Sequence, residues 1–137
     1  MVTSPSSTAD GRFRIVVVED DTANRLFFAD YLSYSGFWVL AIPHGLDLEQ
    51  HLKEFQPHLL LLDLGLPEID GYTLLKRLRS SARWQDLPVI IVSGYAFADD
   101  QHRAMALGAQ KYLVKPVPLH QLTQAIYSLL PHPARGD

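Results

Sequence analysis

The sequence predicts an α/β fold, a doubly wound five-stranded parallel sheet with five helices, and three observations carry that prediction. Leu59 to Leu62 are four consecutive leucines; an amphipathic strand would alternate and a helix would need a longer period, so the run reads as a strand buried on both faces, the habit of parallel sheets. Strand-like and helix-like segments then alternate along the whole chain, which demands right-handed crossovers and helices on both faces. Finally, residues that bear chemistry gather at the predicted strand ends, the edge where open parallel sheets meet their ligands.

Taken in order, "FRIVVV" is the first strand and "TANRLFFADYLSYSG" a helix with Phe28 and Leu32 one turn apart and Gly36 as its stop. "WVLAI" is the second strand and "LDLEQHLKEF" the second helix; after the leucine run, "YTLLKRLRSS" follows Gly71 as the third helix. "PVIIVS" is the fourth strand, "DDQHRAMALG" a helix closed by Gly108, "KYLV" the short fifth strand, and "LHQLTQAIYSLL" a last helix halted by Pro131. Residues 1–12, rich in Ser, Thr, Pro and Gly, read as a flexible lead-in, 13–131 as one domain and 132–137 as a flexible tail.

A chain of 137 residues with 47% hydrophobic content is one domain that buries a substantial core. It has no cysteine, which removes disulfides and thiolate chemistry and fits a reducing compartment. No apolar stretch reaches membrane-spanning length and the N-terminus is polar rather than signal-like, so the expected location is cytoplasmic with no membrane contact. A formal net charge of -3 without a Lys/Arg run speaks against direct nucleic-acid binding.

The strand ends are the informative positions. The first strand ends in Glu19, Asp20 and Asp21, the third in Asp63, the fourth in Ser93 and Gly94, the fifth in Lys115 and Pro116. Carboxylates gathered in one cleft raise one another's pKa unless a cation neutralises them. An all-oxygen set without Cys or paired His favours a hard ion, and a site with few protein oxygens suits Mg²⁺, which keeps several of its waters.

On these residues the chain resembles the receiver domains of response regulators: "VVVEDD", "LLLLDLGLPEIDG", "VIIVSGYA" and "GAQKYLVKPV" match the family's four signature segments in order and spacing, covering residues 13 to about 130. The resemblance implies a flavodoxin-like receiver fold with strand order 2-1-3-4-5. It implies a phosphoacceptor in a two-component or phosphorelay system, which takes a phosphoryl group from a sensor histidine kinase or a histidine phosphotransfer protein. By the same resemblance Asp63 is the phosphoacceptor, Asp20, Asp63 and the carbonyl of Gly65 ligate Mg²⁺, and Glu19 acts through water. Lys115 and Ser93 bind the phosphoryl group, Ser93 and Tyr112 form the switch, Gly65 and Tyr95 tune the phosphoryl lifetime, and Lys115–Pro116 is a cis-peptide candidate. A downstream target would bind the face of the fourth helix, fifth strand and fifth helix, where Arg103, Gln110 and Gln121 are expected to meet it. The domain would be a monomer or weak dimer, and a signalling module rather than an enzyme.

Some positions depart from the commonest pattern. Asp21 adds a third acid and reads as a helix cap beside Thr22, Ser93 replaces the commoner threonine, and the fifth segment lacks the Asp-rich form of dimerising transcription-factor receivers. The chain supplies nothing for an output domain after the last helix, which fits a stand-alone regulator, a phosphorelay shuttle or a receiver taken from a longer kinase. Asp63 has a competing assignment as a helix N-cap. The six histidines, 44, 51, 58, 102, 120 and 132, are expected in solvent-facing or loop positions, and Lys76, Arg77, Arg79 and Arg83 as a solvated helix face. Trp38 and Trp84 are expected to pack strand and loop, while Tyr95 and Phe97 suit a partner contact or a lid. A degenerate docking receiver is one alternative, but it would lack one of Asp20, Asp63 or Lys115. A metal-dependent phosphatase is another, but its second acid would stand where Gly65 does; a flavodoxin would need a phosphate loop where "EDDTAN" would repel the anion.

Overall fold

The computed structural model describes residues 11–131; most of the predicted lead-in and the predicted tail, with His132, lie outside the described residues. Five strands and five helices alternate: β1 (Arg14–Val18), α1 (Thr22–Tyr34), β2 (Trp38–Ile42), α2 (Leu48–Phe55), β3 (Leu59–Leu62), α3 (Gly71–Arg79), β4 (Val89–Ser93), α4 (Ala98–Ala106), β5 (Lys111–Val114) and α5 (Leu119–Leu129). All neighbouring strands are parallel and the order is β2-β1-β3-β4-β5.

The two-residue period of the strands sorts their side chains into two cores. Val16, Val18, Leu60, Leu62, Val89 and Ile91 face α2 and α3, meeting Leu48, Leu52, Leu75 and Leu78. Ile15, Val17, Leu59, Leu61, Ile90 and Val92 face α1 and α5, meeting Phe28, Leu32, Leu122 and Ile126. Every residue of β3 is buried, as a strand with helices on both faces requires. The sheet edges are wetter: Trp38 at the start of β2 is 45% exposed and takes the Arg12 guanidinium over its ring, whereas Trp84 is buried in the first core.

Chain order places the functional edge. From β1 the chain turns outward to β2 and then crosses back to β3 on the other side, so the β1–β3 crevice is where the winding reverses. The register puts Val18 opposite Leu62, which sets the residues that follow, Glu19 and Asp63, beside each other.

Helix ends follow local chemistry. Asp21 caps α1 by accepting from the Asn24 amide at 2.8 Å, the role expected of the third acid. Gly36 and Gly108 take the positive φ that closes α1 and α4. The end of α2 carries no such signal, because Gln56 itself adopts φ +55°.

Two expectations are corrected. His58 is buried, and its Nδ1 accepts from the Arg14 amide at 2.9 Å while its own amide donates to the Arg14 carbonyl; an apolar neighbourhood in sequence gives no hint of that exchange. Arg79 is not part of a solvated face: it donates to the Gly108 carbonyl from Nε and Nη2, and to the Trp84 carbonyl from Nη1. Gln110, expected on a partner surface, is exposed, and its Oε1 accepts from Arg79 and from the Val89 amide at 2.7 Å. Arg103 is solvent-accessible but stacks over the Tyr72 ring, and Gln121 is exposed.

Candidate functional site

The sheet's hydrogen-bond ladder runs one residue beyond several strands and thereby aims the site. The Glu19 amide donates to the Ile42 carbonyl at 3.0 Å, that of Asp63 to Val18 at 3.2 Å and that of Lys115 to Ser93 at 2.9 Å. Asp63 is 8% exposed, Glu19 3% and Ser93 1%; Asp20 is exposed at the mouth. Asp63 is not a helix cap, for α3 is capped by Asp70, whose Oδ1 accepts from the Thr73 amide. Gly71 lets α3 begin close behind the site: a Cβ there would run into the Asp63 carbonyl and lie 2.7 Å from the Leu64 Cα.

Lys115 is the centre of the charge arrangement. Its Nζ donates to Glu19 Oε1 at 2.6 Å and to Asp63 Oδ2 at 2.9 Å. The second oxygens are also held, Glu19 Oε2 by the Asp21 amide at 3.1 Å and Asp63 Oδ1 by the Gly65 amide at 3.2 Å. The peptide between Lys115 and Pro116 is cis. Burial alone would lower the Lys115 pKa, but its two acidic partners outweigh that and hold it above the ordinary lysine value. Burial dominates at Glu19 and keeps its carboxyl above the usual range in spite of Lys115. The two directions agree physically: one ammonium is shared between two acids, so each acid receives only part of its field.

Glu19, Asp20 and Asp63 have carboxylate oxygens within 4.8 Å of one another. Lys115 meets two of these carboxylates, so Asp20 stands as a third acid without an ammonium partner of that kind. The donors are all oxygen, as a hard divalent cation prefers, and exposed Asp20 leaves a side on which such an ion keeps its waters. The Gly65 carbonyl lies in the loop just after Asp63. An unforeseen residue fixes the acidic loop: Arg25, one turn into α1, donates from Nη1 to the carbonyls of Glu19 at 2.9 Å and Asp20 at 3.1 Å. Its only sequence signal is a position four residues after the cap Asp21, which faces it back toward the helix start.

The β4–α4 loop covers the other flank. Ser93 Oγ accepts from the Tyr95 amide at 3.1 Å, and the Tyr95 carbonyl accepts from the Tyr112 hydroxyl at 2.7 Å. Burial raises the half-buried Tyr112 phenol, with Ser93 acting the other way. The Tyr95 ring leans over Gly65, its hydroxyl 2.9 Å from where a Cβ at position 65 would stand. Phe97 is 78% exposed and Tyr95 45%.

Residues 15–127 match the family described as response regulator receiver domain. The chain is 30% identical over 116 residues to the polar-differentiation response regulator DivK of Brucella anthropi, covering 85% of this chain and 94% of that protein. It is 36% identical over 123 residues to the transcriptional regulatory protein GltR of Pseudomonas aeruginosa, covering 90% of this chain but 50% of that longer protein. Among solved structures, the BeF3-activated N-terminal receiver domain of Klebsiella pneumoniae RstA superposes with a TM-score of 0.81 at 30% identity, over 87% of this chain and 99% of that one. The receiver domain of sensor histidine kinase PA1611 from Pseudomonas aeruginosa, with a magnesium ion in its active site cleft, superposes at 0.79 with 23% identity, over 86% of this chain and 97% of that one.

Proposed function

The chain belongs to the response-regulator receiver family, and from that premise we propose that it takes a phosphoryl group from a partner's phosphohistidine onto Asp63, in Mg²⁺, with residues 13–131 as the working module. The observation that carries this reading is Lys115 Nζ bridging Glu19 and Asp63 in a crevice where Asp20 brings a third carboxylate alongside.

A carboxylate is a feeble nucleophile toward an anionic phosphoryl group, so the site has to position and neutralise rather than exchange protons. One Asp63 oxygen forms the new O–P bond as the P–N bond breaks, and that electron pair leaves on the imidazole, which departs neutral when its other nitrogen carries a proton. Lys115 meets the transferred charge, and Ser93 Oγ, now occupied by the Tyr95 amide, can donate to a phosphoryl oxygen on arrival. Asp20, Asp63 and the Gly65 carbonyl would hold Mg²⁺, with Glu19 reaching it through water. Bound there, the ion supplies neutralisation of the phosphoryl oxygens. Tyr95 over Gly65 limits the approach of water to the acyl phosphate and so bears on its lifetime.

The output proposed is a change in the α4–β5–α5 face, through Ser93 and Tyr112, read by a downstream protein. The partner upstream is a sensor histidine kinase or histidine phosphotransfer protein, and the domain is a monomer or weak dimer. Among the described residues no helix is long and apolar enough to cross a membrane. The test is labelling by a small-molecule phosphodonor in Mg²⁺: the parent is expected to be labelled and Asp63→Ala not, and undiminished labelling of the variant overturns the assignment.

A further inference from the structure

Helix α4 is thinly moored. Of its nine residues only Ala104 is buried, and Phe97 before it makes no side-chain capping bond. The preceding stretch, Gly94 to Phe97, is exposed throughout. Against this stands one well-made contact from another element. Tyr72, in the first turn of α3, is 7% exposed, and its hydroxyl donates to Asp100 Oδ1, in the first turn of α4, at 2.7 Å. Arg103, three residues further along the same face of α4, holds its guanidinium 3.9 Å from the centre of the Tyr72 ring. Asp100 and Arg103 thus straddle one aromatic side chain, and a helix with little burial of its own is fixed through it.

The other end of that contact is anchored to the site. Tyr72 follows Gly71, whose amide donates to the Leu64 carbonyl at 2.9 Å, one residue after Asp63. The loop into α4 is held at its start by Ser93 Oγ and by the Tyr112 hydroxyl. Burial first, and Asp100 second, push the Tyr72 phenol above its ordinary pKa, so the hydroxyl stays a donor throughout the physiological range. Loop and helix are therefore suspended between two holds, one on Ser93 and Tyr112, the other on Tyr72.

We propose that Tyr72 is a positioning residue that, through Asp100 and Arg103, latches α4 in the unphosphorylated arrangement and sets how much of the switched form exists before phosphate arrives. This rests on the reading of Asp63 as phosphoacceptor. If Ser93 turns to a phosphoryl group, it gives up the Tyr95 amide, and displacement of α4 is then opposed by the Tyr112 hydroxyl on the Tyr95 carbonyl, by burial of Ala104 and by the Tyr72 hydroxyl, the one of these that grips the first turn of the helix. A ligand or modification shifts an equilibrium only against the contacts that differ between its states, so removing this one moves the resting population toward the switched form.

The test compares the full chain with Tyr72→Phe, which keeps the ring and removes the donor. Amide exchange without phosphodonor is expected to quicken over residues 98–106 by about 2- to 10-fold, the weight of one net hydrogen bond, and to stay unchanged over 119–129. Labelling by acetyl phosphate in Mg²⁺ is expected to quicken by a similar factor. Asp100→Asn, which keeps an acceptor oxygen, should behave as the parent, and Asp100→Ala as Tyr72→Phe, with no further gain when the last two are combined. Unchanged exchange over 98–106 overturns the latch. Faster exchange with unchanged or slower labelling overturns its regulatory role and leaves a merely structural contact. A parent that takes no label counts against Asp63 instead, and the exchange comparison, which needs no phosphate, still decides whether the latch exists.

Discussion

The two ends of the sheet bury polar groups for opposite purposes. At the end where β4 and β5 begin, Arg79 gathers the carbonyls of Gly108 and Trp84, and Gln110 Oε1 takes the Arg79 and Val89 donors; nearby, His58 and Arg14 exchange bonds across β1 and β3. Donors and acceptors there are matched locally, and the cations serve backbone. At the other end Glu19 and Asp63 share one ammonium, and Asp20 adds a third carboxylate beside them that the ammonium does not meet. A matched network stabilises; a mismatched one waits for a ligand. Substitutions at the base are therefore expected to cost stability, and substitutions at the acidic end to cost function.

The largest effect that separates the two ends is expected from Asp63→Ala: labelling falls below detection while the melting temperature is equal to or above that of the parent, because carboxylate repulsion is relieved. A clear loss of stability would merge the two ends. The reciprocal substitution is Arg79→Ala, which takes both donors from the Gly108 carbonyl while the Trp84 carbonyl keeps the Leu87 amide, and is expected to lower unfolding free energy by about 1–2 kcal/mol in urea titrations with the labelling rate preserved. For Asp20→Ala, Mg²⁺ affinity measured by titration is expected to drop by about tenfold or more, again without loss of stability; retained affinity with lost stability would place Asp20 in the structural class.

Ser93→Ala sharpens the contrast within the acidic end. It should still accept phosphate yet show a much smaller phosphorylation-dependent change in partner binding and in amide exchange over 99–115. The smallest effect concerns pH. Because the Glu19 pKa is raised in the fold, burial first, the folded state prefers it protonated, so its contribution to stability is gained as pH falls through the folded value and lost as pH rises above it. Without Mg²⁺, Glu19→Gln should thus be as stable as the parent or slightly more so at neutral pH, with the difference vanishing in acid. A variant clearly less stable at neutral pH would mean that Lys115 wins over burial.

Much of this was legible because parallel α/β folds write themselves locally. Four leucines in a row mark a central strand, and an acid after them lies at the ligand edge. Asp21 before a helical pattern is a cap wherever it stands. The contacts that escaped notice join residues far apart in sequence: Arg14 with His58, Arg79 with Gly108, Tyr72 with Asp100. No local period encodes which helix lies beside which, so a basic residue on α3 reads as solvated until the turn before β5 is packed against it. Gln56 at φ +55° shows the same gap at shorter range, since the usual glycine is absent.

The lean of Tyr95 over Gly65 carries an implication for descent. A side chain introduced at position 65 meets the far end of a mobile tyrosine, with a Cβ only 2.9 Å from the hydroxyl, so the fold tolerates it and the tyrosine moves. The two positions are thereby epistatic: a polar residue at 65 does something different in a Tyr95 background from what it does after 95 has become small. A path that changes 95 before 65 gives the new side chain its full space, whereas the reverse order displaces the tyrosine. Libraries that vary the positions singly would miss the combinations that such a path reaches.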